Sequence, residues 1–253
     1  MDRNELNTVQ FGSVAQEYLH SPVHAQGADL DRLRTAAQKC RPKAVLDLGC
    51  GAGHASFAVA PYAGTVTAYD PLESMLEQVA AEAKNRGHHN IGIGTGPAEQ
   101  LPYTDAEFDW IISRYSAHHW TDVPKALAEI RRVLKPDGLI VLIDSAAPEI
   151  PALDTFINAV EILRDPSHVR NYRLSEWTSM LTRAGLQVTL QERWQIRLDF
   201  NSWVARMRTP EVRVQAIRDL IDGAATEAKE HFHFEDDHSF QLDTVAIHAV
   251  KQR

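Results

Sequence analysis

The sequence predicts an α/β fold, a doubly wound and mostly parallel sheet of seven strands with helices on both faces and additional helical cap elements. Short apolar runs such as Val45–Leu48 and Leu139–Ile143 are typical of strands that are buried on both faces. Segments with apolar residues at helical spacing alternate with these runs, which favours parallel strands joined by right-handed crossovers. A glycine-rich turn, Gly49 to Gly53, joins the first strand to the first of these helices.

The predicted elements follow one another in a regular order. The clearest helix carries one apolar stripe that includes Val123, Leu127 and Ile130, and we expect Lys135–Gly138 to end it as a turn. The predicted strands cover residues 44–48, 65–70, 90–94, 108–113, 139–144, 186–198 and 243–250. The predicted helices that connect them cover residues 54–60, 72–83, 123–134 and 175–184.

The sequence predicts two parts, an N-terminal helical lid at residues 1–42 and a main domain at 43–253. The main domain contains helical insertions near 150–173 and 201–229 that the simple alternation does not require. We expect the lid and the first insertion to close over a ligand site. One face of the predicted lid helix is formed by Phe11, Val14, Ala15 and Tyr18.

Composition narrows the class of protein. A hydrophobic content of 44% and a charged content of 24% are ordinary for a globular protein, and no apolar run approaches a membrane span. The formal charge of −8 disfavours a nucleic-acid partner, so a small molecule is the expected substrate. With two cysteines and a polar N-terminus, we expect a cytoplasmic location and no disulfide. The oligomeric state is not predicted.

The glycine-rich turn and a later carboxylate predict an adenosine-containing ligand. Gly49, Gly51 and Gly53 let the backbone approach a ligand closely, and Asp70 ends the second strand where it can accept hydrogen bonds from ribose hydroxyls. Asp47 stands two residues before the first glycine, which disfavours a pyrophosphate and suits the cationic S-adenosylmethionine. A nicotinamide- or flavin-dependent oxidoreductase is the rival class, although its turn prefers Gly-x-Gly-x-x-Gly.

Several motifs in this order give the chain a family resemblance over about residues 10–145. They are Val45 to Gly53, Asp70, Ala98 to Tyr103 and Leu134 to Gly138. The sequence resembles class I S-adenosylmethionine-dependent methyltransferases, in particular the ubiquinone/menaquinone-biosynthesis type. This resemblance implies a Rossmann-like methyltransferase fold and transfer of a methyl group to a carbon, oxygen or nitrogen atom of a small-molecule acceptor, with S-adenosylhomocysteine as the product. A regulator that binds S-adenosylmethionine without turnover is the non-enzymatic alternative.

The resemblance also implies which residues bind the cofactor. The first motif would hold its methionine part, Asp70 its ribose, and Met75 and the Ala98 loop its adenine. Relatives usually place an aspartate where this chain has Pro97, so adenine is expected to rely on the Ala98 amide, Glu99 or apolar contacts. The full predicted cofactor set is Asp47, Gly49, Cys50, Gly51, Asp70, Pro71, Met75, Ala98, Glu99 and Arg114.

The segment after the fourth strand should lie beside the transferred methyl group. His118 or His119 could act there as a general base, although each could instead have a purely structural role, and methyl transfer can proceed by positioning alone. No metal site is predicted, and the histidine-rich segment 231–238 is interpreted as a polar connection. The predicted substrate-binding residues are Tyr18, Tyr115, His168, Arg170, Tyr172 and Trp203.

Overall fold

The computed structural model describes residues 27–252, which form one seven-stranded sheet flanked by helices. The sheet order is β3-β2-β1-β4-β5-β7-β6, in which β7 runs antiparallel to both of its neighbours and the other pairs are parallel. The predicted fold class is therefore confirmed. The strands are β1 (Ala44–Leu48), β2 (Thr65–Asp70), β3 (Ile91–Thr95), β4 (Phe108–Arg114), β5 (Leu134–Ser145), β6 (Leu186–Leu198) and β7 (Phe240–Lys251).

The helices agree with the apolar stripes of the sequence. The helical stretch predicted at 201–229 consists of three short helices, because Pro210 and Gly223 interrupt it. The helices are α1 (Ala28–Cys40), α2 (His54–Val59), α3 (Glu73–Asn85), α4 (Val123–Val133), α5 (Pro151–Arg164), α6 (Leu174–Arg183), α7 (Phe200–Arg206), α8 (Glu211–Asp222) and α9 (Thr226–Phe232), and a 3-10 turn covers Ala117–His119.

The structure differs from the sequence prediction at Lys135–Gly138, where the sequence predicts a turn. Strand β5 begins directly after α4, and its pairing with β4 shifts register, since Phe108 pairs with Leu134 and Trp110 pairs with Leu139. The extra residues of β5 form an irregularity rather than a separate turn.

Helix α1 packs on the sheet. Its apolar residues Leu30, Leu33 and Ala37 are buried in one cluster with Val45 of β1 and Ala58 of α2. This helix occupies the second part of the segment predicted as a lid. The predicted stripe from Phe11 to Tyr18 lies outside the described residues, so the lid there stays a prediction.

The helices of the two insertions pack against each other and form a cap with its own apolar core. Ile157 and Val160 of α5 join Trp203 of α7, Ile217 of α8 and Phe232 of α9 in this cluster. The ends of β6 and β7 contribute to the same cluster, which fixes the cap beside the edge where the parallel strands end. Between residues 27 and 252, no helix has the length and apolar character needed to cross a membrane.

Candidate functional site

A cleft of about 570 Å³ opens at the carboxyl ends of β1, β2 and β4. Strand β1 lies between β2 and β4, so the chain crosses to opposite sides of β1 here, which is where open α/β sheets bind ligands. One wall is formed by the glycine turn, the end of β2 and the loops after β3 and β4. The opposite wall is formed by the cap helices α5 and α7 and the neighbouring ends of β6 and β7.

The glycine turn has little room for side chains at its first residue and open space at its second. Gly49 has a φ of 71°, and a Cβ there would lie 1.8 Å from the Oγ atom of Ser116. Gly51 has a φ of 49°, and a Cβ there would have no atom within 4 Å. Both residues need the left-handed conformation that glycine adopts readily. Gly49 thus permits close packing of two loops, and Gly51 exposes backbone to the cleft.

Asp47 lines the cleft and also accepts hydrogen bonds from within the protein. Its Oδ2 atom accepts hydrogen bonds from the backbone N–H of Ser56 at 2.8 Å and from the Ser56 hydroxyl at 2.6 Å. Burial raises the pKa of Asp47 to about 6, although the Ser56 hydrogen bonds and the charge of Arg114 act in the opposite direction. Asp47 therefore anchors the first turn of α2 behind the glycine loop.

Asp70 joins the end of β2 to the glycine turn. Its Oδ2 atom accepts the Gly51 N–H at 2.9 Å, and its Oδ1 atom accepts the Leu72 N–H at 3.0 Å. Burial raises the pKa of this carboxyl to about 6 against the effect of these two bonds. Because a carboxylate has about four acceptor positions, Asp70 retains capacity for two further hydrogen bonds on the cleft side.

The loop after β3 lies at the other end of the same wall. Glu99 is committed to the protein, since its Oε1 atom accepts the backbone N–H groups of Thr121 at 2.8 Å and of Asp122 at 3.1 Å. The Ala98 N–H donates to no other residue in the described part of the chain. Pro97 lines the cleft without a donor of its own.

The two adjacent histidines have different environments. His118 has its Nδ1 atom 2.5 Å from Oδ1 of Asp144, a residue of β5 that is 1% exposed. Burial lowers the pKa of His118, but Asp144, with smaller contributions from Glu161 and Asp165, outweighs burial and raises it overall. The pKa of His119 shifts in the opposite direction, because burial and the charge of His118 lower it to about 4.

Arg114 and Tyr115 connect the end of β4 to α1. The Nε atom of Arg114 donates to Oδ2 of Asp29 at 2.5 Å, and both side chains are buried. The guanidinium carbon of Arg114 lies 4.8 Å from the centre of the Tyr115 ring. This buried ion pair fixes the loop that carries the histidines.

The ten predicted cofactor residues all line this one cleft, together with His118, His119, Tyr115 and Trp203. The structure does not bring the other predicted substrate residues to the cleft wall. His168 is buried and bonds Asn158, Arg170 pairs with Asp154, and Tyr172 packs on Trp177. Tyr18 lies outside the described residues.

The cap wall contains residues that the sequence did not single out. Glu161, Arg164 and Asp165 come from the end of α5, and Ser145 from the end of β5. The spacing of Glu161 and Arg164 could have indicated that both lie on one face of a helix. Only the packed cap shows that this face meets the cleft. The remaining lining residues of this wall are Ile196, Leu198, Arg206 and Leu242.

The histidine-rich segment bonds to other side chains. His231 contacts Asp243 at 2.7 Å, and His238 contacts Asp222 at 3.1 Å. Within residues 27–252, no group of three His, Cys, Asp or Glu side chains is arranged to hold a metal ion.

Known proteins resemble this chain in sequence and in structure. Residues 46–142 match the family model described as a methyltransferase domain. The uncharacterized methyltransferase YcgJ of Bacillus subtilis is 39% identical over 226 residues, which are 89% of each chain. Its crystal structure superposes with a TM-score of 0.85 at 37% identity, covering 88% of this chain and 98% of YcgJ. The YafE protein of Escherichia coli is 43% identical over 203 residues, which are 80% of this chain and 98% of YafE.

The fold and the cleft define a Rossmann-like methyltransferase, and the relatives agree with that class. The demethylmenaquinone methyltransferase of Listeria welshimeri is also similar, at 34% identity over 118 residues that cover 46% of this chain and 50% of that enzyme. The chain belongs to the class I S-adenosylmethionine-dependent methyltransferases. The family model and the YcgJ relative favour the methyltransferase class over the oxidoreductase alternative.

Proposed function

We propose that this methyltransferase transfers a methyl group from S-adenosylmethionine to a small-molecule acceptor held between the glycine turn and the helical cap. The observation that carries the proposal is the shared cleft, which joins the family's cofactor motifs to His118 and to the partly apolar cap wall. The family implies the cofactor, and the residues of the cleft suit its charge and its hydrogen-bonding groups.

The wall formed by the glycine turn, the end of β2 and the loops after β3 and β4 offers a suitable group to each part of S-adenosylmethionine. Gly51 exposes backbone where the methionine part would lie, and the buried carboxylates of Asp47 and Asp70 favour a ligand that carries positive charge. The two remaining acceptor positions of Asp70 suit a ribose diol. The Ala98 N–H and the side chain of Met75 would meet the adenine, which compensates for the proline at position 97.

His118 is the proposed general base, and Asp144 positions it. When bound, S-adenosylmethionine supplies an electrophilic methyl group on a sulfonium. With Nδ1 facing Asp144, His118 carries its proton on that nitrogen, so the Nε2 lone pair is the one that can accept a proton. His118 would take the proton of the acceptor as the new bond to carbon forms and the carbon–sulfur bond breaks. His119 has a pKa of about 4 and would stay neutral beside it.

Calorimetry with S-adenosylmethionine and S-adenosylhomocysteine tests the cofactor part of the proposal. We expect both ligands to bind and a nicotinamide dinucleotide to give no heat. Folded protein that fails to bind either sulfur ligand would contradict the proposal. Product formation is then measured with a panel of small hydroxyl, amine and carbon acceptors.

The choice between the two histidines is tested with matched variants. Loss of a general base typically costs roughly 10²–10⁴-fold in rate, so His118→Gln should lower kcat by that amount without weakening cofactor binding. His119→Gln should leave most of the activity. Equal rates for His118→Gln and the wild type would show that the enzyme works by positioning alone.

A further inference from the structure

The cap wall beside His118 combines acidic and apolar groups. Glu161 and Asp165 come from the end of α5, and their negative charges help to raise the pKa of His118. The apolar part of the wall comes from β6, α7 and β7 and consists of Ile196, Leu198, Trp203 and Leu242. An acceptor that meets this wall therefore faces carboxylates next to hydrocarbon.

Glu161 has unused hydrogen-bonding capacity. The residue is 6% exposed, and its carboxylate accepts no hydrogen bond from any other residue between 27 and 252. The ion contact with Nη1 of Arg164 is 3.6 Å long. Burial raises the pKa of Glu161, although Arg164, His118 and Arg206 act in the opposite direction. A buried acceptor that lines a cavity in this way is satisfied when a ligand donates to it.

Arg164 and Asp165, which neighbour Glu161 at the end of α5, are already engaged within the protein. The Nε atom of Arg164 donates to the backbone oxygen of Trp203 at 3.0 Å, and its guanidinium carbon lies 4.7 Å from the Trp203 ring centre. The Oδ1 atom of Asp165 accepts both the N–H and the hydroxyl of Ser167, at 2.8 and 2.6 Å. Glu161 is therefore the side chain of α5 that best fits a role in binding the acceptor.

We propose that Glu161 is a second acceptor-binding group, which selects a neutral or cationic acceptor with two hydrogen-bond donors on an apolar body. One donor is the group to be methylated, and it faces Nε2 of His118. The other donates to the carboxylate of Glu161. This inference rests on the proposed function and adds the chemical class of its acceptor.

The same wall disfavours an anionic acceptor. Glu161, Asp165 and Asp144 place three carboxyl groups around His118, and the cap wall has two arginines, Arg164 and Arg206, so carboxyl groups outnumber arginines here. Like charges in a buried site repel strongly. Arg164, which lies against Glu161, is held by the Trp203 backbone and ring, so the position of its guanidinium is set by the protein. A carboxylate ligand would gain little from it.

Binding of simple aromatic probes tests the inference on enzyme saturated with S-adenosylhomocysteine. The probes are the three dihydroxybenzenes, phenol and benzoate, and their dissociation constants are measured by NMR titration. A hydrogen bond to a charged acceptor contributes about tenfold or more in affinity, so the best dihydroxybenzene should bind at least about tenfold tighter than phenol. Benzoate should bind more weakly than phenol.

Variants assign the effect to Glu161. Glu161→Leu should reduce the dihydroxybenzene to the affinity of phenol, and Glu161→Gln, which keeps one acceptor oxygen, should restore part of the difference. Glu227→Gln, an exposed change on α9 away from the cleft, should have no effect. With an acceptor found by screening, Glu161→Gln should raise KM more than it lowers kcat.

The outcomes separate this inference from the proposed function. Wild-type enzyme that binds S-adenosylhomocysteine but binds phenol as tightly as every dihydroxybenzene would overturn the role of Glu161 and leave methyl transfer intact. Tighter binding of benzoate than of phenol would also overturn it. Failure to bind S-adenosylhomocysteine would instead contradict the proposed function itself.

Discussion

Asp144 binds His118 through both of its carboxylate oxygens. Its Oδ1 atom lies 2.5 Å from the ring Nδ1, and its Oδ2 atom accepts the backbone N–H of His118 at 3.1 Å. Asp144 is the last residue but one of strand β5, and His118 lies in the 3-10 turn after β4, so neighbouring strand ends fix the ring in one orientation. The arrangement leaves Nε2 directed away from Asp144.

The pKa of His118 depends on this contact. We expect Asp144→Asn to lower the pKa of His118 below its usual value, because burial would remain while the largest raising influence is lost. The histidine ring signals, followed by NMR across pH, measure this change. Asp222→Asn is the matched control, since Asp222 bonds His238 on the surface and should leave His118 unchanged.

The same variant should change how stability varies with pH. A histidine whose folded pKa is raised stabilises the fold fully below its unfolded pKa of 6.5, and this contribution is lost as the pH rises through the folded value. Asp144→Asn should therefore lose more stability at pH 5.5 than at pH 8.5, relative to wild type. Urea unfolding at the two pH values measures the difference. An equal loss at both would contradict the assigned ion pair.

Asp70 is expected to contribute to cofactor affinity. Replacing it with asparagine removes the charge and part of the acceptor capacity, while the retained oxygen can still accept the Gly51 N–H. The affinity for S-adenosylmethionine should fall by roughly 1–3 kcal/mol, the usual effect of losing a hydrogen bond to a charged group. Calorimetry measures the change, and Asp31→Asn on the exposed face of α1 serves as the control. An unchanged affinity would mean that the ribose lies elsewhere.

Cofactor affinity should also depend on pH near 6. Burial raises the pKa values of Asp47 and Asp70 to about 6, so both carboxyls become protonated as the pH falls below that value. S-adenosylmethionine carries positive charge, and its affinity should therefore rise as the pH increases from 5 to 7 and then level off. Calorimetry at several pH values tests this. In Asp70→Asn the rise should be smaller, because one of the two titrating groups is gone.

The cofactor side of this cleft could be predicted because its signals are local. The glycine turn, Asp70 and the Ala98 loop each follow one strand, and parallel strands bring their ends to the same edge. The acceptor side could not be predicted in this way. Asp144 and Glu161 lie far apart from His118 in the sequence, and the packing of α5 against α7 and α8 brings Glu161 to the cleft.

The prediction at the acceptor side depends on the same long-range packing. His168, Arg170 and Tyr172 are predicted as substrate residues because they are neighbours in sequence and chemically varied. In the fold this segment contacts α5 and α6, where each of the three side chains meets a protein partner. The residue types of this segment do not indicate which of its side chains face the cleft.

Gly51 and Gly87 offer a direct test of where the cofactor approaches the backbone. Their φ angles are 49° and 72°, and a Cβ would meet no atom within 4 Å at either position. Alanine should therefore cost each site a similar strain, about 1–2 kcal/mol of unfolding free energy, without a steric clash. The two sites differ in surroundings, since Gly51 lines the cleft and Gly87 follows α3 away from it.

Only Gly51→Ala should therefore weaken the binding of S-adenosylmethionine, because its methyl group would project into the space proposed for the methionine part. Thermal unfolding without ligand measures the shared strain, and calorimetry measures the affinity of each variant. A similar loss of affinity in both variants would point to a general loss of stability. Full affinity in Gly51→Ala would show that the ligand does not approach this part of the turn.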